Sequence, residues 1–177
     1  AEHLITSEEI LQLDTLPDSL VFIGGGVIAL EFAHVFARAG TKVTILEATP
    51  TLLPRFDQGA VDAVVEESRR IGIDVLTSVE VTRVSRNQDW LHVHFTHQGE
   101  TRIISAQQVA NGTGRIADVE RLDLQAGEIE HDGARIIVDD SLRSVSNPNV
   151  YVAGDALWSS PQLSPVATHE GKIVAEN

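Results

Sequence analysis

The stretch Val21-Phe-Ile-Gly-Gly-Gly-Val-Ile-Ala-Leu-Glu-Phe-Ala33 constrains this chain more than any other. The apolar run Leu20 to Ile23 predicts a short buried strand. Three glycines follow at once, and an apolar helix then runs toward Ala39. Gly24-x-Gly26-x-x-Ala29 is the spacing at which a strand turns directly into a helix around a dinucleotide pyrophosphate. Gly24 permits the tight turn, Gly26 lets a phosphate approach bare backbone, and Ala29 is small enough for close helix–strand packing. Gly25, Val27 and Ile28 complete the turn and open the helix, whose first N–H groups carry a partial positive charge.

The surrounding sequence agrees with that reading. A second strand, Lys42 to Leu46, ends in Glu47, and 47 − 24 = 23 residues separate the first glycine from that acid. An acid about 20 residues on accepts hydrogen bonds from adenosine ribose hydroxyls. The plainer alternative, a glycine turn in some other α/β unit, leaves the strand, turn, helix, strand and acid without a common reason.

Elsewhere the pattern is that of an α/β chain. Thr6-Ser-Glu-Glu9 has capping-box spacing and starts a short helix through about Leu13. Ile28, Phe32, Val35 and Phe36 form the sheet-facing stripe of the second helix, which Gly40 stops. Glu31 lies two turns into it, where a surface carboxylate is the default. Thr49 to Phe56 is a loop with two prolines. Asp57 caps a helix to about Arg70, and Ile71 to Leu76 reads as a third parallel strand. From Val79 the period becomes two. Val79–Val84, Trp90–Phe95 and Thr101–Ile104 alternate, linked by turns at Arg86-Asn-Gln-Asp89 and Gln98-Gly-Glu100, and predict an antiparallel meander laid over the parallel sheet. His92 and His94 share a face of it, but no third ligand accompanies them, so a solvated strand face is expected rather than a metal site. Gln107 to Ala110 is a further strand. Its end, Asn111-Gly-Thr-Gly-Arg115, should form a second wall of a site at the strands' carboxyl ends.

After Arg115 the character shifts. Residues 116–142 are acidic and loop-rich, with a hairpin-like turn at Asp132-Gly133. Ser146 to Asp155 reads as a buried strand closing on Gly154 and Asp155, and Gln162 to Ala175 as a loop and then a helix. This part is too short to be expected to bury a core of its own.

Bulk properties exclude some classes. With 13 Lys+Arg against 26 Asp+Glu, the formal charge is −13, which argues against a nucleic-acid partner. No apolar run reaches the roughly 18 residues of a membrane span, and no signal peptide is visible, so a cytoplasmic location is expected. There is no cysteine, hence no disulfide or thiolate site. Ala1 at the start and the lack of any Met suit a piece of a longer protein.

With these motifs in order, the chain resembles the pyridine nucleotide-disulfide oxidoreductases. This flavoprotein family includes dihydrolipoamide dehydrogenase, glutathione reductase and mercuric reductase. Gly24 to Glu31 resembles the family's nicotinamide-cofactor fingerprint, and Gly112-Thr-Gly-Arg115 its exit motif. Val150-Tyr-Val-Ala-Gly-Asp155 and Leu163-Ser-Pro-Val-Ala167 resemble its second flavin motif.

The resemblance implies a fold: α/β, with a Rossmann-like parallel sheet, an antiparallel β-meander crossover, and part of a second, FAD/central domain. Residues 1–115 would be the NAD(H)-binding domain and 116–177 the partial FAD-binding segment. It also implies roles. Gly24, Gly25, Gly26, Val27, Ile28 and Ala29 would hold the pyrophosphate, and Glu31 would sit by the nicotinamide amide. Glu47 would bind two ribose hydroxyls, Val79 would touch adenine, and the Gly114 backbone would close over the cofactor. Asp155 would bind the ribityl chain of FAD, with Gln162, Leu163 and Ser164 near its ring.

A carboxylate at Glu47 repels a 2′-phosphate, and Ala48, Thr49 and Pro50 follow where NADP-preferring relatives place Arg, so NAD is expected over NADP. Val27 stands where relatives often carry Tyr, and Ala117 where Pro is common. The family's first flavin motif, redox cysteine pair and dimerisation domain have no counterpart in this sequence. No catalytic residue and no metal ligand is therefore expected here. The expected role is to bind NADH for hydride transfer to FAD within a full-length homodimer that reduces a disulfide or similar acceptor. The piece alone should be inactive, with no membrane or nucleic-acid partner. An NADH oxidase or ferredoxin reductase-type flavoprotein and a non-catalytic NAD-sensing module are the alternatives.

Overall fold

Leu20, Val21 and Phe22 are consecutive and no more than 1% exposed, which a strand allows only when both its faces are covered. In the computed structural model, which describes residues 3–114 and 117–177, they lie in β1 (Ser19–Ile23). This strand is central in a four-stranded parallel sheet of order β3-β2-β1-β7, with β2 (Lys42–Leu46), β3 (Asp74–Leu76) and β7 (Gln108–Asn111).

Each face of that sheet feeds its own core. Leu20, Phe22, Val43, Ile45 and Ala110 pack with Ala29, Leu30, Ala33 and Phe36 of α2 (Val27–Arg38) and Val61 of α3 (Gln58–Arg70). Val21, Leu46 and Val109 pack with Leu91, Val93, Phe95 and Ala106. Those last four belong to an antiparallel sheet of β4 (Val79–Asn87), β5 (Trp90–His97) and β6 (Glu100–Ala106). This meander carries the chain from β3 to β7, the place a crossover helix takes in a regular βαβ unit. The α/β architecture and the meander over the parallel sheet are as the sequence predicts.

Local boundaries differ for physical reasons. The hairpins are tighter than the polar runs suggested. Gln98 and Gly99 both take positive φ (52° and 79°), the two-residue turn whose twist matches antiparallel strands, and Gln88 turns the other hairpin at φ 53°. Helix α1 (Ser7–Ile10) has its full capping box on Thr6 and Glu9 but stops at Ile10, short of Leu13. Strand β3 starts at Asp74 rather than Ile71. Gly72, at φ 90°, and the bond from Ile73 N–H to Ser68 O use residues 71–73 to close the end of α3.

The contacts divide the chain into units 1–114 and 115–177. The second unit does bury a small core, contrary to expectation: Val119, Leu124, Ile136, Val152 and Leu157, all under 9% exposed, pack together. It holds a short hairpin, β8 (His131–Asp132) with β9 (Arg135–Ile136), and the helix α4 (Ser164–Glu176). The strand expected before Asp155 is not formed. Residues 150–152 meet 142–144 through Ser144 N–H to Val150 O (2.8 Å) and Val152 N–H to Leu142 O (2.9 Å), while Val150 N–H turns back to Asn147 O (3.1 Å), and one isolated bridge forms at Tyr151. Among the described residues no helix is long and apolar enough to cross a membrane.

Candidate nucleotide site

The site is built where β1, β2 and β7 end. Gly24 leaves β1 at φ 97° and donates to Leu46 O at 2.8 Å, while Gly112 leaves β7 and donates to Ile23 O at 2.7 Å. The two glycines meet backbone to backbone. A Cβ on Gly24 would stand 2.5 Å from both Gly112 C and Thr113 N, and one on Gly112 would strike Gly24 O and stand 2.8 Å from Ala29 Cβ. Helix α2 then starts at Gly26, in extended backbone with no side chain to cap it. The orphan N–H groups of its first turn and the positive end of its dipole are thus left for a ligand.

Glu47, the first residue past β2, is half-buried beside this turn. Its Oε2 accepts from Gly25 N–H at 2.7 Å, and its Oε1 accepts from Thr49 N–H and lies 2.8 Å from Thr49 Oγ1. Leu52, 1% exposed, fills the space over Gly25, where a Cβ would collide with it. A carboxylate bonded to the loop amide this way holds the glycine turn as well as facing the pocket.

Together these groups line an open cavity of about 640 Å³. Its floor is Gly24, Gly25 and Gly26, and Gly112 and Thr113 form one side. Val79 and Val81 of β4 offer an apolar wall, and Leu53, Arg55 and Phe56 close the other side. Polar floor, acid and apolar wall suit, in turn, a pyrophosphate, a ribose and a base.

The structure brings Gly24, Gly25, Gly26, Glu47 and Val79 to this cavity. Ala29 lies fully buried beneath it against Gly112. Val27 and Ile28 form the first turn of α2 but do not line the cavity. Glu31 is one turn into α2, not two, and is exposed away from the cavity lining, as a helix starting at Val27 requires. Gly114, at φ 115°, is likewise outside the lining, and Arg115 of the exit motif lies outside the described residues. Sequence reasoning did not single out Thr49 or Leu52, and it gave Thr113 only within the 111–115 stretch expected as a second wall. The two prolines around residues 50–54 were the available signal for a fixed loop.

In the second unit, Asp155 sits in a 3-10 turn (Gly154–Ala156), and Gln162 Nε2 donates to its carbonyl at 3.4 Å. Both line a hollow of about 240 Å³ with Val119 and Leu122. Leu163 caps α4 and Ser164 starts it, and neither lines the hollow. Glu170, which the sequence did not mark, is 6% exposed. It accepts from Gly154 N–H at 2.7 Å and from the Ser160 hydroxyl. Among the described residues no cluster suits a metal ion. His92 bonds Ser105, and His94 bonds Ser85 and Arg83.

Comparison with known proteins shows the family. A family described as "Pyridine nucleotide-disulphide oxidoreductase" matches residues 1–171. The chain is 34% identical over 175 residues to mercuric reductase of Bacillus cereus, covering 98% of this chain and 27% of that protein. It is 31% identical over 176 residues to dihydrolipoyl dehydrogenase of Geobacillus stearothermophilus, covering 99% and 37%. Among solved structures, the HOCl-induced flavoprotein disulfide reductase RclA from Escherichia coli matches with a TM-score of 0.86 and 28% identity, over 99% of this chain and 39% of that one. The chain therefore spans only about a quarter to two fifths of such relatives.

Proposed function

The chain belongs to the pyridine nucleotide-disulphide oxidoreductase family, and from that premise we propose that its first unit is the NAD(H)-binding portion of an FAD-dependent reductase. The observation that carries the reading is the interlocked pair Gly24 and Gly112 beside the Glu47 carboxylate, all lining the cavity. A ligand pyrophosphate fits the bare backbone at Gly26 and the uncapped start of α2. Glu47 accepts from the ribose, and Val79 and Val81 shield the base. The carboxylate disfavours a 2′-phosphate, which selects NAD over NADP.

When bound, a reduced nicotinamide supplies hydride to a flavin. This chain's residues bind and orient the donor and exclude water from one wall. Asp155 and Gln162 would hold part of the flavin, and their hollow of about 240 Å³ accommodates a fragment of that cofactor only. The whole protein would act as a homodimer on a disulfide or a similar electron acceptor, and this piece alone would bind NADH without turnover.

Calorimetric titration of the 177-residue chain with NADH and with NADPH tests the reading. Tighter binding of NADH is expected. A preference for NADPH overturns the role of Glu47, and binding of neither overturns the assignment of a self-sufficient nucleotide unit.

A further inference from the structure

The acid in the cavity is already occupied. An ionised carboxylate offers about four acceptor sites, two on each oxygen. Gly25 N–H takes one on Oε2 at 2.7 Å, and Thr49 N–H takes one on Oε1 at 2.8 Å. The Thr49 hydroxyl stands at a second position on Oε1, also at 2.8 Å. That hydroxyl has one proton and two acceptors, because Thr51 O lies 2.6 Å from the same Oγ1. Whichever acceptor receives the proton, the oxygen fills the space on that side of the carboxylate.

The Thr49 backbone is held in place. Its carbonyl accepts from Ser78 N–H at 3.0 Å, at a corner where Ser78 is held at φ 55°. The next residue along, Val79, donates to Glu47 O at 2.9 Å. The acid, the Thr49 turn and the start of β4 are one hydrogen-bonded block. About one acceptor site, on Oε2, is left open to the cavity.

We infer that Thr49 is a specificity-determining residue: its hydroxyl takes the place of one ribose hydroxyl, so Glu47 reads a single hydroxyl of the nucleotide rather than the pair. The inference rests on the reading of Glu47 as the ribose acceptor and sharpens it. The chain would tolerate loss of one ribose hydroxyl and punish loss of the other. Removing the Thr49 hydroxyl would open the second site.

The test is calorimetry of the 177-residue chain with ADP, 2′-deoxy-ADP and 3′-deoxy-ADP. In the wild type, one deoxy nucleotide should bind like ADP and the other about tenfold more weakly, the loss expected for one hydrogen bond to a charged group. Thr49→Ala should bind ADP at least about threefold more tightly than wild type, and should lose that gain with the deoxy nucleotide that the wild type binds like ADP. Thr49→Ser, which keeps the hydroxyl, should behave as wild type. If both deoxy nucleotides bind weakly to the wild type and Thr49→Ala gains nothing, the diol displaces the Thr49 hydroxyl and the inference is wrong. If neither deoxy nucleotide loses affinity and Glu47→Gln binds ADP unchanged, the ribose role of Glu47 itself falls, and the inference with it.

Discussion

Gly112 N–H reaches past Gly24 to donate to Ile23 O at 2.7 Å, and this approach leaves no room for a Cβ on either glycine. Gly112 is not among the glycines with positive φ, so alanine there would ordinarily gain a little from the unfolded state. Here its methyl meets Gly24 O and Ala29 Cβ. Gly112→Ala should therefore destabilise the first unit by about 1–3 kcal/mol, an overpacking cost, read as a lower urea midpoint with unchanged slope. An unchanged midpoint would show that the two strand ends can separate without loss.

In the proposed reading, Glu47 carries the cofactor choice. Glu47→Arg replaces a repelling charge with one that pairs with a 2′-phosphate. The ratio of NADPH to NADH affinity should rise more than tenfold by titration. NADH affinity itself should fall, because Gly25 N–H loses its acceptor. A ratio that stays put would move the choice to Arg55, which lines the same cavity.

A pH-sensitive contact ties α2 to α3. The Ser68 hydroxyl donates to Val64 O at 2.7 Å, so Ser68 Oγ accepts from His34 Nε2–H at 2.8 Å. His34 Nδ1 then accepts from Arg38 at 2.9 Å. A proton on Nδ1 would face a donor of like charge. Burial and Arg38 lower the His34 pKa below its ordinary 6.5, against a smaller opposing pull from Glu67, which itself pairs with Arg38 and Arg70. Between 6.5 and the lower folded value, the unfolded chain binds more protons. Stability is thus fully present above pH 6.5 and is lost as pH falls through that window. His34→Gln should flatten the dependence of the urea midpoint between about pH 7 and 5. A midpoint that falls equally in both proteins would clear His34.

Glu170 does for the second unit what capping residues do for helices. With its carboxylate gone, Gly154 N–H and the Ser160 hydroxyl lose their acceptor in a half-buried place. Glu170→Ala should speed amide hydrogen exchange at Gly154 by about tenfold or more, equivalent to roughly 1–3 kcal/mol. Amides in β1 and β2 serve as the internal control. Unaltered exchange at Gly154 would mean that the turn at 154–156 holds without the carboxylate.

The parts of the fold written in local periodicity were readable from the sequence. Leu20 to Ile23, the glycine turn, α2 and the period-two run from Val79 each carry their own signal. Positions decided by distant neighbours were not readable. Gln98 takes positive φ because two strands pair on either side of it. Residues 150–152 read as a buried strand because their side chains are apolar, but a strand needs a run of ladder bonds to a neighbour, and here Val150 N–H turns back to Asn147 O while the pairing with 142–144 stops at a single bridge. In the site, the spacing from Gly24 to Glu47 identified the acid. That Thr49 would stand on the acid's other oxygen depends on the turn made by residues 47–49, which no spacing encodes.

Strands with one wet face keep their alignment because a slip of one residue would turn oily side chains into water. β1 has no such safeguard, since Leu20, Val21 and Phe22 are buried whichever way they point. A shifted β1 would still present apolar groups above and below. What it would lose is the meeting of Gly24 with Gly112, since a residue bearing a side chain would arrive at the crossing instead. The strand is thus indexed at its tip, and the contact that shapes the cavity floor also tells the sheet where to stop.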